Sequence, residues 1–239
     1  MTYIKNYKDM HTNWSNLHDA VRMYEYGLFK KSINDYSSIL EVGIGEGFLT
    51  GIFLNEFKKV VSVDNDKSVV SYIGQKFKKY SNLHLIDDSF ENIGNHSIVK
   101  EVKNIFLGHV MEHVYDPVLS LKVLKRHCDK DALIYLSVPN ALSLHRLAAV
   151  QMGLLKTCYD LTEQDQKLGH KRQYDMTRFK SDLVSSGLSI VESGGIFVKP
   201  LSNSQIEKYY SRDMIKAFLS ISNILKENCG EIYAICTIS

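Results

Sequence analysis

The sequence predicts an α/β fold built on a doubly wound parallel β-sheet. Between residues 38 and 138, short apolar runs typical of buried strands alternate with segments whose apolar residues recur at helical spacing. The chain has 239 residues, 44% of them hydrophobic, which suits one α/β domain whose core needs no disulfide or metal. It has only three prolines, and no linker or internal repeat divides it.

Five strands and the helices between them form the predicted centre of the sheet. The predicted strands are 38–42, 59–64, 83–87, 102–107 and 132–138. Apolar residues at helical spacing follow the first two strands, and Asp116 with Pro117 predicts the N-cap of a further helix. Right-handed crossovers then place helices on both faces of the sheet.

The predicted elements outside this centre surround it. An apolar repeat predicts an N-terminal helix within 15–35. Asp175 and Gly187 predict the start and stop of a later helix, and two closing strands are predicted at 189–198 and 231–238. One long amphipathic helix is predicted between these strands from four apolar positions: Met214, Phe218, Ile221 and Leu225.

Composition excludes several classes of protein. The formal net charge is only +2, which gives no electrostatic reason to expect nucleic acid as a partner. No apolar run reaches 18 residues and no signal-peptide pattern opens the chain, so no membrane span and a cytoplasmic location are expected. The four cysteines are scattered, as is typical of free thiols in a reducing compartment.

The most informative motif is a glycine loop after the first predicted strand. Gly43, Gly45 and Gly47 let a ligand approach the backbone closely, and Asp64 at the end of the second strand can accept both hydroxyls of a ribose. Phe48 stands where a dinucleotide-binding G-x-G-x-x-G loop requires its last glycine. Glu41 before the loop disfavours a pyrophosphate but suits the positive sulfonium and ammonium groups of S-adenosylmethionine.

The chain resembles the class I S-adenosylmethionine-dependent methyltransferases in four segments. They are the glycine loop 40–49, strand 61–64, the stretch 87–90 and the histidine-containing stretch 107–117. Val138-Pro139-Asn140 and the segment 169–174 resemble the branch that includes the ubiquinone-biosynthesis-type O-methyltransferases. The resemblance implies a seven-stranded, mostly parallel Rossmann-like sheet with its last strand antiparallel.

The resemblance also implies S-adenosyl-L-methionine as cofactor and S-adenosyl-L-homocysteine as product. Asp64 would hold the ribose, Asp88 the adenine amino group, and Phe90 would line the adenine ring, with Glu41 near the methionine end. The full set of expected cofactor-binding residues is Glu41, Gly43, Gly45, Gly47, Asp64, Asn65, Asp88, Ser89, Phe90 and Gly108.

Three histidines are candidates for a catalytic base on the acceptor side: His109, His170 and His145. All three are expected at the carboxyl ends of strands or in the loop that covers them, where doubly wound sheets bind ligands. His109 to His113 also matches H-x-x-E-H, a zinc-protease pattern. Because the motif here follows a buried strand of a doubly wound sheet and no third ligand is evident, no metal is expected, and a zinc hydrolase stays an alternative.

We therefore expect a methyltransferase that acts on a hydroxyl of a small molecule, as a monomer or homodimer. N-methylation of an amine or amino sugar is the alternative acceptor chemistry, and a nicotinamide-dependent oxidoreductase is an alternative class. The expected layout is a single domain over 1–239. It has an N-terminal helical cap (1–36), a cofactor-binding half (37–140), a substrate-cover insertion (141–175) and C-terminal helices with closing strands (176–239).

Overall fold

A computed structural model describes residues 16–238 and contains one seven-stranded sheet in the order β3-β2-β1-β4-β5-β7-β6. The strands are β1 (Ser38–Val42), β2 (Lys59–Asp64), β3 (Leu83–Asp87), β4 (Asn104–Gly108), β5 (Leu133–Pro139), β6 (Leu188–Ile196) and β7 (Glu231–Ile238). Neighbours among β1 to β5 pair in parallel, and β7 is antiparallel to both β5 and β6. The predicted fold class is confirmed.

The strand boundaries agree with the prediction within two residues. The first three strands and β7 coincide with the predicted ranges, whereas β4 begins at Asn104 and not at Val102. Val102 follows a 3-10 turn over Ser97–Glu101 and is fully buried there, so its apolar character reflects packing before the strand and not pairing within it.

Helices cover both faces of the sheet. They are α1 (Leu17–Lys30), α2 (Phe48–Glu56), α3 (Lys67–Lys76), α4 (Pro117–His127), α5 (Leu144–Gln151), α6 (Glu163–Lys167), α7 (Met176–Ser185), α8 (Asn203–Tyr209) and α9 (Arg212–Ser220). Leu40 of β1 packs in one core cluster with α4 and α7, while its neighbour Ile39 packs in the other with α1 and α2. Successive strand residues point to opposite faces, so the two clusters are the two layers of a doubly wound fold.

Two predicted helix starts follow from side-chain capping. Asp116 accepts a hydrogen bond from the backbone N–H of Leu119 at the start of α4, and Asp175 accepts one from Arg178 at the start of α7. Each aspartate satisfies a backbone donor that the first turn of a helix leaves free. Gly187 follows α7 with a φ of 84°, as expected of a helix stop.

The predicted long helix between β6 and β7 is wrong. The chain forms the shorter α8 and α9 there, each started by a serine cap, and then two 3-10 turns over Ile221–Asn223 and Lys226–Asn228. Residue Tyr210 between the helices is extended, which ends α8. The buried residues of α9 are Ile215 and Leu219, so the predicted stripe was also displaced around the helix.

Helices lie before β1 and in the segment that follows β5. α1 lies inside the predicted N-terminal cap, whose residues 1–15 are outside the described part of the chain. The insertion after β5 contains α5 and α6 and returns to the sheet at Tyr174, where Ala141 donates a hydrogen bond to the Tyr174 carbonyl at 2.7 Å. Within 16–238, no helix has the length and apolarity that crossing a membrane requires.

Candidate active site

A cavity of about 450 Å³ lies at the carboxyl edge of the sheet, and its volume is typical of a small-molecule pocket. Most of its lining comes from the ends of β1 to β4: Val42, Gly43, Val63, Asp64, Asn65, Asp88, Phe90, Glu91, His109, Val110, His113 and Val114. The insertion contributes Leu168, Gly169 and Lys171. This is the edge at which doubly wound sheets bind their ligands.

The glycine loop between β1 and α2 borders the cavity through Gly43. Gly43, Gly45 and Gly47 have φ angles of 81°, 54° and 75°, a region that residues with a Cβ seldom adopt. A Cβ on Gly45 would meet no atom within 4 Å, so the backbone there faces open space. A bare backbone beside a cavity is the arrangement that a closely bound ligand requires.

Asp64 ends β2 and lines the cavity beside Asn65. Its Oδ2 accepts a hydrogen bond from the backbone N–H of Ile44, and its Oδ1 accepts one from Asp66, both at 2.9 Å. The loops after β1 and β2 therefore hold this carboxylate in place. Each carboxylate oxygen has a further acceptor position, which suits a pair of ribose hydroxyls.

The stretch after β3 brings Asp88 and Phe90 to the same cavity. The Asp88 carboxylate accepts hydrogen bonds from the Asn92 amide and the Ser89 backbone N–H, each at 2.8 Å, and lies 2.9 Å from His96 Nε2. These partners, Asn92 first, hold the pKa of Asp88 below its usual value. Phe90 is buried and offers an apolar surface beside this charged group.

Two predicted cofactor residues have other partners. Glu41 is 2% exposed, and its Oε2 accepts hydrogen bonds from the hydroxyls of Thr50 and Ser62 at 2.7 and 2.8 Å. Burial raises the pKa of Glu41 to about 7. A Cβ on Gly108 would lie 2.7 Å from Arg22 Nη1, so this glycine makes room for Arg22.

Five of the predicted cofactor residues do not line the cavity itself, and their roles stay predictions: Glu41, Gly45, Gly47, Ser89 and Gly108.

His109 lies directly after β4 and lines the cavity. Its φ of 58° is in the left-handed region, so the chain turns sharply where the strand ends. Ring atom Nε2 is 3.0 Å from Glu231 Oε2, and Nδ1 is 3.4 Å from Glu112 Oε1. Burial, with the positive charge of Arg22 nearby, lowers the pKa of His109 to about 4, so the imidazole is neutral at neutral pH.

Beside His109 lie three charged side chains that the sequence does not single out, of which Arg22 and Glu25 are buried and Glu231 is partly buried. Arg22 Nη1 is 2.5 Å from Glu25 Oε2, and Arg22 Nη2 is 3.6 Å from Glu231 Oε1. Burial raises the pKa of Glu25 to about 8, whereas at Glu231 the effect of burial is outweighed by His109 and Arg22, which lower the pKa to about 2. We call Arg22, Glu25, His109 and Glu231 the Arg22 cluster.

A second group next to His109 consists of Glu112, His113 and His170. The H-x-x-E-H segment is a turn, since α4 begins only at Pro117, so its two histidines do not share a helix face. His109 faces Glu231, while the ring of His113 packs edge-on against His170 at 4.8 Å. We call Glu112, His113 and His170 the Glu112 triad.

The other two histidine candidates lie outside the cavity lining. His170 has Nδ1 at 3.3 Å from Asp165 Oδ1, and its ring packs against His113, which lines the cavity. His145 is the second residue of α5, and its backbone N–H donates to the Lys199 carbonyl at 3.1 Å. Burial lowers the pKa of His145 to about 3, which keeps its ring neutral.

Arg172 organises the turn after β4, and sequence reasoning gave it no role. Its Nη1 donates hydrogen bonds to the carbonyls of Met111 and Val114 at 2.9 and 2.7 Å, and Nη2 donates to Tyr115 at 2.8 Å. The backbone N–H of Lys171 donates to the Glu112 carbonyl at 2.8 Å. The only sequence signal was its place in the segment 169–174, which the family resemblance had already marked.

The doubly wound sheet with an antiparallel β7, the glycine loop and the acid at the end of β2 define a class I S-adenosylmethionine-dependent methyltransferase. A family model described as "Ribosomal RNA adenine dimethylase" matches residues 25–148, about half of the chain, and the chain belongs to this family. S-adenosyl-L-methionine is the cofactor of the class. The prediction of the ubiquinone-biosynthesis-type branch is not confirmed.

The individual relatives are named for different methyl acceptors. Ribosomal RNA small subunit methyltransferase A of Prochlorococcus marinus is 26% identical over 120 residues, which cover 46% of this chain and 43% of the relative. (S)-coclaurine N-methyltransferase of Thalictrum flavum is 26% identical over 117 residues, covering 48% of this chain and 32% of the relative. The chain thus matches less than half the length of either relative.

A solved structure of similar fold is the S-adenosylmethionine-dependent methyltransferase of Mesorhizobium loti. It superposes with a TM-score of 0.64 at 10% identity, covering 90% of this chain and 97% of that one. These comparisons support neither the oxidoreductase nor the hydrolase alternative. Because some relatives are named for ribosomal RNA, the expectation that the chain has no nucleic-acid partner is not supported.

Proposed function

We propose that the chain transfers a methyl group from S-adenosylmethionine to a hydroxyl oxygen of a small acceptor. The observation that carries the proposal is the composition of one cavity, which combines the glycine loop and Asp64 with two histidines, His109 and His113. The glycine loop and Asp64 fit a nucleoside cofactor. Neutral histidines can accept the proton that a hydroxyl group loses when its oxygen is methylated.

On the cofactor side, Gly43, Gly45 and Gly47 would give the backbone room, and Asp64 with Asn65 would hold the ribose. Asp88, Ser89 and Phe90 would surround the adenine, while Glu41 and Gly108 support the loop and strand end from behind. The bound cofactor supplies a methyl group already activated by a positive sulfur. The protein therefore has to align the acceptor and exclude water, and Leu168 to Lys171 of the insertion are placed to do this.

On the acceptor side, His109 is the first candidate because it lines the cavity and is uncharged at neutral pH. Its two ring nitrogens face Glu231 and Glu112, so a proton taken up by the ring has carboxyl groups on both sides. His170 acts behind His113 in this proposal. His145, outside the cavity lining, is the weakest of the three candidates.

Methylation of ribosomal RNA is the second candidate function, and the family model and the relative from Prochlorococcus marinus favour it. Two observations favour the small acceptor. The net charge of +2 gives little attraction to a phosphate backbone. Among the described residues that line the cavity, Phe90 on the cofactor side is the only aromatic ring other than histidine, whereas enzymes that methylate a base stack it on such rings.

Cofactor binding is tested with S-adenosylhomocysteine by isothermal titration calorimetry. We expect binding to the wild type and a loss of roughly tenfold or more in Asp64→Ala, because the ribose hydroxyls lose their acceptor. Asp87→Ala is the matched control, since Asp87 is the register partner of Asp64 on β3 but does not line the cavity. Undetectable binding to the wild type would contradict the proposal.

The acceptor class is tested with cofactor that carries an isotopically labelled methyl group. The protein is incubated with a cell extract separated into RNA and small molecules, and mass spectrometry locates the label. Label on an oxygen of a small molecule supports the first candidate, and label on a nitrogen supports the N-methylation alternative. Label on ribosomal RNA replaces both with the second candidate.

A further inference from the structure

The Glu112 triad contains an unusual buried carboxylate. The side chain of Glu112 is 1% exposed, and neither of its oxygens has a hydrogen-bond partner. Buried carboxylates in proteins are almost always paired, because an unpaired one loses the hydrogen bonds that water would provide. The nitrogen nearest to Oε1 of Glu112 in an ion-pair contact is His109 Nδ1 at 3.4 Å, so both carboxylate oxygens remain available to a bound ligand.

Two histidines surround this carboxylate. One ligand atom from each of Glu112, His113 and His170 lies within 4.8 Å of the others. Ligand atoms bound tetrahedrally about 2 Å from one cation lie about 3.3 Å apart, so small side-chain rotations bring the three into coordination. His170 Nδ1 is also buried without a hydrogen-bond partner, although Asp165 Oδ1 is 3.3 Å away.

Two positively charged side chains near the Glu112 triad, Arg172 and Lys171, have other partners. Arg172 donates to three backbone carbonyls of the turn, and the Lys171 ammonium lies over the Tyr115 ring at 4.3 Å from its centroid. By contrast, the Arg22 cluster already contains a guanidinium 2.5 Å from Glu25, which leaves little need for a further cation there. Arg22 is close enough to lower the pKa of Glu112, but the ion-pair contacts of the Glu112 carboxylate are with the histidines His109 and His113 and not with an arginine or lysine.

We propose that Glu112, His113 and His170 bind a divalent cation at the acceptor side of the cavity. Two imidazoles and one carboxylate are the ligands of open catalytic sites for Zn²⁺ and similar first-row cations, and they are a poor set for Mg²⁺ or Ca²⁺, which prefer oxygen. Asp165, held by Arg146 and Thr162, lies behind His170 as an outer carboxylate that orients a ligand histidine.

The position of the triad gives the cation a use. His113 lines the cavity, so a coordination position left open by three protein ligands faces the space proposed for the acceptor. A hydroxyl oxygen bound there gives its proton to the neighbouring His109 ring more readily and becomes a better nucleophile toward the methyl group. This use rests on the proposed O-methylation, whereas cation binding itself does not.

The test is a titration of the chelator-treated full chain with Zn²⁺, and with Mg²⁺ in parallel, by calorimetry. We expect one equivalent of Zn²⁺ to bind and Mg²⁺ to bind far more weakly. Glu112→Gln and His170→Gln should each weaken Zn²⁺ binding by roughly a hundredfold, because each removes one of three ligands. His84→Gln, at an exposed position on β3, is the matched control and should bind as the wild type does.

Cobalt substitution and cofactor binding make the result decisive. Co²⁺ in the wild type should give the visible absorption of a low-symmetry site with nitrogen ligands, and Glu112→Gln should lose it. Zn²⁺ binding that is absent, or equal in the wild type and both triad variants, overturns the proposal even if S-adenosylhomocysteine binds. Triad-dependent Zn²⁺ binding in a protein that does not bind S-adenosylhomocysteine supports the site and refutes only the proposed function.

Discussion

Glu41 illustrates how burial sets the protonation state of one side chain. The carboxyl group lies inside the sheet, accepts hydrogen bonds from Thr50 and Ser62, and has its pKa raised by burial from the usual 4.5 to about 7. The two hydroxyls oppose this rise, but they do not replace the hydration that the charged form loses. Near neutral pH the group therefore exchanges a proton inside the core.

We expect Glu41→Gln to change how stability depends on pH. Glu41 releases its proton near pH 4.5 when unfolded and near pH 7 when folded, so the wild type loses stability as pH rises between these values. The loss is at most about 1.4 kcal/mol per pH unit, and glutamine, which does not titrate, lacks it. Urea unfolding at several pH values measures the free energy of unfolding of both proteins. The stability of Glu41→Gln relative to the wild type should increase as pH rises.

Glu46→Gln is the control for that measurement, because Glu46 lies exposed in the same loop. It should show the same pH dependence as the wild type. A difference in free energy of unfolding between Glu41→Gln and the wild type that stays constant from about pH 5 to pH 8 would contradict the assigned pKa.

At this scale, sequence reasoning located residues whose position at the cavity follows from local pattern. Asp64 was predictable because a strand and a glycine loop mark its position. Arg22 and Glu231 were not, since they are more than 200 residues apart and only the folded sheet brings them to His109. No local periodicity signals a charge pair that tertiary packing creates.

At the scale of elements, Gly45 of the glycine loop can be compared with Gly153, which lies outside that loop. Gly45 and Gly153 both have positive φ and open space where a Cβ would lie, but Gly45 belongs to the loop that borders the cavity through Gly43, whereas Gly153 follows α5. Alanine at either position should cost about 1–2 kcal/mol of stability through backbone strain. Only Gly45→Ala should also weaken binding of S-adenosylhomocysteine, roughly tenfold or more, because its methyl group fills the space against the loop.

Thermal unfolding and calorimetry on the two glycine variants measure both quantities. Equal affinities for S-adenosylhomocysteine in Gly45→Ala and Gly153→Ala would show that the ligand does not lie against the loop. A much larger loss of stability in one variant would show that the two backbone positions are not equivalent.

The elements were predictable where local signals agreed with packing. Asp116 and Asp175 mark helix starts that do not depend on the rest of the fold, and the strands β1 to β3 are apolar runs with clear ends. The prediction for the region between β6 and β7 was wrong because short helices have few residues on each face. A shift of one position, from Met214 to Ile215, then exchanges buried and exposed sides.

At the scale of the whole molecule, the cavity joins the ends of four strands, so ligand binding should stabilise the sheet as a unit. S-adenosylhomocysteine at about 100 times its dissociation constant should add about 2.7 kcal/mol. For a chain of this size that raises the midpoint of thermal unfolding by about 5–10 °C. Differential scanning calorimetry should show one transition that moves as a whole. A second transition that the ligand leaves in place would mean that part of the sheet unfolds separately.

The position of β7 has a consequence for synthesis on the ribosome. β6 is made first, yet among the strands within 16–238 it pairs only with β7, which follows it by more than 30 residues and lies between β6 and β5. A nascent chain that has emerged as far as β6 therefore holds a five-stranded parallel sheet and an unpaired strand. Glu231, the first residue of β7, reaches Arg22 and His109 only when β7 has inserted between β5 and β6. The charged centre of the site is thus assembled at the final step of vectorial folding.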